Sequence, residues 1–294
     1  MSTSLRTEST PYPARRWSSV SPRPPSTSAV IRGTLLTLGA TLMLAPIVWA
    51  GVSSFKTPSE LAKSPPSLLP DRMVVGNYTE ALTSFNFGSY FMNSVIVTVA
   101  ATVLTLAINA MAAYALAKYN FRGRDTLFLI TLSTIMIPIQ VILLPAYQVV
   151  ASLGMANSLL GLIIPPAATP TGVFLLRQYM LTIPDDMIEA ARIDGAGEFT
   201  IFWRVVLPLC KPALAVVAIF SVIWRWNDFL WPLLIAQDES VYTLPVALAR
   251  FSSQLVVPFN LVLAMSVLSI VPVVIIFLLM QKQIVSGIAQ TGLK

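Results

Sequence analysis

Arg225 and Asp228 are the charged residues inside the long apolar stretches of this sequence, and their spacing places them on one turn of a helix. Ionisable side chains within a membrane usually serve a function, whereas at the membrane surface the same two residues would simply pair with each other. Asn227 could bond to a polar solute or to a neighbouring helix, and Trp226 could stack on a ring-shaped solute or anchor the helix at the interface. These residue types predict a substrate path containing Trp226, Asn227 and Asp228, and the structural alternatives stay open.

The sequence lacks the side chains on which most enzymes and metal sites depend. Its 294 residues include no histidine and one cysteine, Cys210, which excludes the commonest general base and any multi-cysteine metal site. No Walker-type phosphate-binding loop is present, so this chain does not hydrolyse ATP by that route. A membrane-embedded enzyme would need paired carboxylates, a serine with a base, or metal ligands in the apolar stretches, and it remains a remote alternative. We expect no catalytic residue, metal or cofactor in this chain.

The composition indicates an all-α membrane protein. Hydrophobic residues make up 55% of the chain and charged residues 11%, against about 25% charged in a typical soluble domain. A helix needs about 20 apolar residues to cross the bilayer. Six stretches qualify: 33–54, 92–117, 127–152, 159–176, 212–235 and 261–280. Pro165 and Pro166 should break the fourth helix, and the charges of the fifth should end it early. We therefore predict six transmembrane helices in one domain over residues 33–294.

The first 32 residues are rich in serine, threonine, proline and arginine, and they predict a disordered tail. A cleaved signal peptide ending near Ala50 is the competing interpretation, but the apolar run after the tail is long enough to span the bilayer. With the amino terminus in the cytosol, 14 of the 19 lysines and arginines fall on the cytosolic side. Positive charge concentrates on that side, so both termini are predicted to be cytosolic, and the net charge of +6 does not indicate nucleic-acid binding.

A loop of mixed charge, residues 183–208, is predicted on the cytosolic side between the fourth and fifth spans. Pro184 suits the first turn of a helix, and Asp185 and Asp186 place negative charge at its positive end. Gly195 is positioned to end the helix in a left-handed conformation. The loop therefore predicts a short helix at the membrane surface, where a partner protein could dock.

The same loop resembles the EAA loop of binding-protein-dependent ABC importers. The shared residues are Glu189, Ala190, Ala191, Gly195, Leu207 and Pro208, in the family's spacing, with Val205 where the family usually has isoleucine. In that family the loop forms a coupling helix that docks on a cytosolic ATPase. The resemblance implies that these six shared residues serve in ATPase coupling, and it implies the type I permease fold of ABC importers.

Similarity extends over nearly the whole chain after Arg32 and points to the sugar-permease branch, in particular to the maltose-type second permease. It includes segments 54–56, 77–78, 112–115 and 226–233. The resemblance implies a bacterial inner-membrane subunit that pairs with a second permease, two ATPase subunits and an extracytoplasmic solute-binding protein. ATP and Mg would be bound by the ATPase subunits. The implied solute is a mono-, di- or oligosaccharide, with a glycerol phosphate ester or another polyol as the alternative.

The predicted outer loop between the fifth and sixth spans, residues 237–260, is too long for a tight connector. In the maltose-type family the equivalent loop resembles a probe that enters the sugar cleft of the binding protein. The resemblance implies binding-protein contacts at Tyr242, Phe251, Ser252 and Gln254. A segment that only seals the outer gate is the alternative.

Overall fold

The structure, a computed structural model, describes residues 27–253 and 258–292, and every regular element in these two ranges is helical. The α-helices are α1 (Thr27–Ser53), α2 (Pro58–Leu61), α3 (Gly76–Ser84), α4 (Phe87–Lys118), α5 (Arg124–Ser133), α6 (Ile139–Ser152), α7 (Leu159–Ile163), α8 (Pro170–Met180), α9 (Asp185–Ile193), α10 (Glu198–Ile201), α11 (Leu207–Leu209), α12 (Lys211–Asn227), α13 (Leu230–Ile235), α14 (Leu244–Ser252) and α15 (Phe259–Gly292). The chain forms two compact units, divided between Val48 and Trp49. The candidate site lies within the second unit.

Helix α1 begins at Thr27, so residues 27–32 are helical although the sequence placed them in the disordered tail. The charged residue in this stretch, Arg32, donates from its side chain to the Ser28 carbonyl oxygen one turn earlier, at 3.1 Å. Residues before Thr27 lie outside the described part of the chain, and the tail stays a prediction there.

Three helical segments are individually long and apolar enough to cross a membrane: Val30–Ser53, Phe87–Lys118 and Phe259–Leu279. Three pairs of helices qualify when each pair is taken as one bent span. The pairs are Arg124–Met136 with Ile139–Ser152, Leu159–Ala167 with Pro170–Met180, and Glu198–Leu209 with Lys211–Asn227, bent by 106°, 45° and 79°. Length and composition thus give up to six spans, in agreement with the six apolar stretches of the sequence.

Prolines stand at the breaks in the third and fourth spans. Pro138 precedes α6 at the 106° bend, and Pro165 and Pro166 begin a tight 3-10 turn before α8, which starts at Pro170. Proline has no amide hydrogen and its ring clashes with the preceding turn, so a regular helix does not continue through these positions. The predicted break in the fourth span is confirmed.

The fifth span differs from its predicted limits at both ends. A helical segment, Glu198–Leu209, precedes the predicted start at residue 212 and meets α12 at a sharp bend at Cys210. Helix α12 then ends at Asn227, and Asp228 is extended, with ψ 126°. The predicted early end of this helix is confirmed, and the short helix α13 continues to Ile235.

Helix α4 packs against both α8 and α12. Its buried face includes Ala101, Ala110 and Ala113, whose small side chains let helix backbones approach closely in a membrane. The hydroxyl oxygens of Thr102 on α4 and Ser221 on α12 lie 2.9 Å apart, forming a hydrogen bond between the two helices. These contacts hold α4 against both α8 and α12.

Asn109 on α4 holds the start of α8 in the broken fourth span. Its Nδ2 donates to the Thr169 hydroxyl oxygen at 2.6 Å, and its Oδ1 accepts from the Thr169 amide at 3.1 Å. A backbone group freed by a helix break needs such a partner because lipid offers none. Gly172 makes the approach possible, since a Cβ there would lie 2.1 Å from the Asn109 Nδ2.

Candidate functional site

Helix α9 has the capped geometry that the sequence predicted, with one difference at its start. Pro184 precedes the helix with an extended backbone (φ −59°, ψ 135°), so the first turn begins at Asp185. At the other end, the Ala196 amide donates to the Ala191 carbonyl and the Gly195 amide to the Arg192 carbonyl, each at 3.0 Å. This pair of bonds is a Schellman motif, and Gly195 takes the left-handed conformation it requires, φ +82°. The predicted left-handed cap is confirmed.

One face of α9 points outward and the opposite side is anchored. Ile188 is 3% exposed and packs into the buried cluster that contains Ile201 and Val206. The exposed residues Asp186, Glu189, Ala190 and Ile193 share the opposite face, at spacings of three and four; we call them the outward face of α9. Ile193 is 86% exposed, so this apolar side chain is almost unpacked among the described residues.

The residues predicted for ATPase coupling differ in their exposure. The Glu189 carboxylate forms no hydrogen bond or ion pair with another residue that the structure describes, so it is available to a partner. Ala191 and Leu207 are half-buried, and Pro208 is exposed in α11, two residues before the bend at Cys210. Two further apolar rings, which the sequence analysis did not single out, are exposed after the cap: Phe199 and Trp203, 5.9 Å apart. The sequence signal that could have identified them is the presence of two aromatic residues shortly after the predicted helix cap.

Hydrogen bonds from other helices fix the charges of α9. The Lys118 ammonium donates to Asp185 at 2.6 Å, and this bond lowers the pKa of the Asp185 carboxyl. Arg192 donates to Glu198 at 2.7 Å, and this bond raises the pKa of the Arg192 guanidinium. The lowered pKa keeps the Asp185 carboxyl charged at neutral pH, and the raised pKa does the same for the Arg192 guanidinium. Sequence reasoning missed the Lys118 pair because Lys118 is 67 residues from Asp185.

A membrane cavity of about 260 Å³ lies between α4, α8 and α12. Its walls include hydroxyl side chains, one tryptophan and one arginine: Thr105, Thr169, Thr171, Ser221, Trp224 and Arg225. Arg225 donates to the Pro166 carbonyl oxygen at the fourth-span break, and it forms no salt bridge with Asp228 among the described ion pairs. The cavity combines apolar walls with a few polar groups, which is typical of small-molecule sites.

The three residues predicted for the substrate path do not line this cavity. Trp226 is 5% exposed, donates from Nε1 to the Ser269 carbonyl oxygen at 3.0 Å, and packs edge-on against Phe91. Asn227 donates to the Ile223 carbonyl oxygen of its own helix, and Asp228 is half-buried just after that helix ends. Their assignment to the path stays a prediction, while the neighbouring Trp224 and Arg225 reach the cavity wall.

The predicted binding-protein contacts lie on the segment around α14. Tyr242 is half-buried 6.3 Å from the Tyr90 ring, and Phe251 packs against Phe85 at 4.4 Å. Ser252 is exposed, and Gln254 lies outside the described residues. Two aromatic rings thus anchor the segment and leave the end of α14 accessible, and the contact role of these residues stays a prediction.

Residues 108–290 match the family described as the binding-protein-dependent transport system inner membrane component. The chain belongs to this family. The match contains α9, α12 and α14, and all of the cavity walls named above except Thr105, so the geometry above is that of an inner-membrane transport permease. An activity of a membrane-embedded enzyme is not needed to explain any of these features.

Full-length relatives support the same classification. The permease is 38% identical over 259 residues to the arabinooligosaccharides transport system permease protein AraQ of Bacillus subtilis, covering 86% of this chain and 91% of the relative. It is 34% identical over 273 residues to the sn-glycerol-3-phosphate transport system permease protein UgpE of Brucella abortus, covering 90% and 97%.

A solved structure shows the fold directly. A chain from the crystal structure of a bacterial ABC transporter that imports the acidic polysaccharide alginate superimposes with a TM-score of 0.80 and 27% identity. The match covers 89% of the permease and 99% of that chain. The predicted type I ABC permease fold is confirmed.

Proposed function

We propose that this permease forms, with a second permease, the membrane path of an ATP-driven importer for a sugar: a mono-, di- or oligosaccharide. The observation that carries the proposal is the outward face of α9. On this face of a capped helix, Glu189, Ala190 and Ile193 are exposed and could contact a partner protein. The arabinooligosaccharide relative and the alginate transporter support a sugar as the solute. The cavity between α4, α8 and α12 supports a path through this subunit.

The ATPase partners are two cytosolic subunits that bind ATP and Mg, and one of them docks on α9. Glu189, Ala190, Ala191, Gly195, Leu207 and Pro208 shape this docking region. Under this proposal the α9 side of the chain and both termini face the cytosol. An extracytoplasmic binding protein delivers the solute on the other side and contacts Tyr242, Phe251, Ser252 and Gln254.

A single substitution on the outward face tests ATPase docking. Ile193 is 86% exposed, so Ile193→Asp leaves the permease fold intact while placing a charge in the proposed interface. We expect the ATPase subunits to be lost when this variant is purified with its partners. Phe121→Asp is the control, because Phe121 is exposed but lies off α9. Equal ATPase retention by the two variants would contradict the docking assignment.

The solute is tested with the complete importer in proteoliposomes. We expect ATP-dependent uptake of an oligosaccharide of arabinose or of a related sugar, and none of sn-glycerol-3-phosphate. The glycerol phosphate relative makes the reverse outcome the specific alternative. Uptake of the phosphate ester alone would replace the sugar by that solute and leave the ATP-driven mechanism in place.

A further inference from the structure

The Lys118 end of α4 is bonded to the start of α9. The Lys118 ammonium donates to the Asp185 carboxylate and to the Ile183 carbonyl oxygen, both at 2.6 Å. The side chain of Lys118 is 4% exposed. A nearly buried charge is costly unless it is paired and hydrogen-bonded, so these two acceptors hold Lys118 in place. The last residue of α4 is thereby fixed to the first turn of α9.

The far end of α9 is bonded to the same place through Glu198. The Arg192 Nε donates to one Glu198 carboxylate oxygen at 2.7 Å, and the Tyr119 hydroxyl donates to the other at 2.6 Å. The Tyr114 hydroxyl donates to that second oxygen at 3.3 Å. Lys118 and Tyr119 are consecutive, while Asp185 and Arg192 are about 10 Å apart along a helix that rises about 1.5 Å per residue.

Attachment at both ends prevents a motion that attachment at one end would allow. A short helix fixed at a single point can pivot about it, whereas a helix fixed at two points moves with the element that holds it. Here that element is α4, which continues from Lys118 and Tyr119 into the membrane core. Helix α4 reaches the cavity at Thr105 and is bonded to α8 and α12 through Asn109 and Thr102.

We propose that Lys118 and Tyr119 are positioning residues that make α9 and α4 move together, so that a displacement of α9 by the ATPase changes the membrane cavity. This proposal rests on the proposed ATP-driven function. Neither residue belongs to the outward face of α9, because Lys118 is directed inward and Tyr119 is bonded to Glu198. Their loss should therefore separate ATPase docking from the response of the cavity.

The test uses the complete importer, with binding protein, in lipid nanodiscs. A Cys210→Ala, Thr171→Cys permease carries one environment-sensitive fluorophore at the cavity wall, since Cys210 is the sole native cysteine and Thr171 is exposed there. ATP with vanadate closes the ATPases, and two quantities are recorded: trapped nucleotide and the emission shift at position 171. In the variant Lys118→Met/Tyr119→Phe we expect normal trapping and an emission shift reduced at least fivefold.

A control variant removes one positive charge and one tyrosine hydroxyl from two other positions. Arg122→Met/Tyr179→Phe deletes one cation and one hydroxyl that form no side-chain bond with any described residue, and it should keep the full emission shift. Lys118→Arg, which keeps the charge and the donors, should also keep it. If Lys118→Met/Tyr119→Phe does not accumulate, Tyr119→Phe alone removes the bond to Glu198 and leaves the buried Lys118 cation paired with Asp185, and it should also reduce the emission shift while trapping stays normal.

The outcomes separate the two proposals. An emission shift within twofold of the unaltered permease would overturn the role of Lys118 and Tyr119. A loss of trapped nucleotide in proportion to the emission shift would also overturn it, because the two residues would then serve ATPase docking. An unaltered permease that retains no ATPase, or shows no shift with ATP and vanadate, would instead reject the proposed ATP-driven function.

Discussion

Two glycines near the end of α9 separate the effect of backbone conformation from the effect of space. A Cβ built on Gly195 or on Gly197 meets no atom within 4 Å, so a side chain fits at either position. Gly195, however, has φ +82°, whereas Gly197 has φ −70°. A side chain at Gly195 therefore costs about 1–2 kcal/mol for the left-handed backbone alone, and more for a β-branched residue.

Gly195→Val should disrupt the Schellman motif and change the direction of the chain after α9. We expect the binding-protein-stimulated ATPase rate of the purified complex to fall several-fold, with membrane insertion unchanged. Gly197→Val is the matched control and should keep the rate, because its backbone is already in a region that valine favours. Equal rates for the two variants would show that the cap at Gly195 is unimportant for coupling.

Gly172 poses the opposite situation, because space is lacking there. A Cβ at this position would lie 2.1 Å from the Asn109 Nδ2 and 2.6 Å from the Thr169 hydroxyl oxygen. Gly172→Ala should destabilise the permease by about 1–3 kcal/mol, the usual cost of overpacking. Thermal unfolding in detergent, followed with a thiol-reactive dye at the buried Cys210, should show a midpoint several degrees lower. Gly88→Ala on α4 has open space and should leave the midpoint unchanged or higher.

The segment between α13 and α14 contains one short 3-10 turn, Glu239–Val241, and side chains of other elements hold the segment in place. The Asn157 Oδ1 accepts from the amides of Gln237 and Asp238 at 3.0 and 2.9 Å, and its Nδ2 donates to the Asp238 carboxylate. On the other side, the Tyr90 hydroxyl donates to Glu239. The surface proposed to meet the binding protein is thus positioned by residues far away in the sequence.

Asn157→Gly should release this segment without straining the backbone, since Asn157 has φ +54°, which glycine adopts freely. Three hydrogen bonds are lost, worth about 0.5–1.5 kcal/mol each before water replaces them. We expect faster hydrogen exchange over residues 237–243 and weaker stimulation of the ATPase by the binding protein. Asn86→Gly, at φ +47° with a long 3.4 Å hydrogen bond to Glu239, should change both quantities less than Asn157→Gly does. Unchanged exchange in Asn157→Gly would contradict the anchoring role.

Local sequence signals predicted individual elements well and long-range contacts poorly. Pro165 and Pro166 identified the break in the fourth span because proline acts within its own turn, and Gly195 identified the cap for the same reason. The attachment of Lys118 to Asp185 could not be predicted, because neither residue carries information about the other. Trp226 illustrates the same limit: its type fits a sugar path, an interface anchor or a core position, and only packing against Phe91 shows that it is buried.

The complete permease combines continuous spans with bent ones, and its charge distribution predicts how they are oriented. Of the 19 lysines and arginines, 14 fall on the side assigned to the cytosol, which is the side where positive charge concentrates. This orientation predicts that residue 79, before α4, is outside and that residue 120, just after α4, is inside. Both Thr79 and Asn120 are exposed and uncharged, so replacing them leaves the charge distribution intact.

Thr79→Cys and Asn120→Cys, each on a Cys210→Ala background, should differ in reactivity toward a membrane-impermeant thiol reagent. In spheroplasts we expect labelling of position 79, and labelling of position 120 only after the membrane is permeabilised. The two positions flank a single helix, so they must report opposite sides if α4 spans the bilayer. Labelling of position 120 from outside would reverse the orientation, and the proposed cytosolic position of α9 with it.

The hydrogen bonds between Asn109 and Thr169 also constrain how the permease is made. The two residues are 60 positions apart, so α4 enters the bilayer with an unsatisfied amide well before α8 has been synthesised. The half-helices Leu159–Ala167 and Pro170–Met180 are each shorter than the roughly 20 residues that an independent span requires. Helix α4 is long and apolar enough to span the bilayer, but its Asn109 side-chain amide has no hydrogen-bond partner until the fourth span arrives. The fourth span is broken, and its Thr169 hydroxyl and backbone amide are the groups that bond to Asn109. We therefore expect the fourth span to insert by packing against α4, which is already in the membrane. When that packing fails, α4 is left with an unsatisfied amide in the bilayer and becomes a target for quality-control proteases.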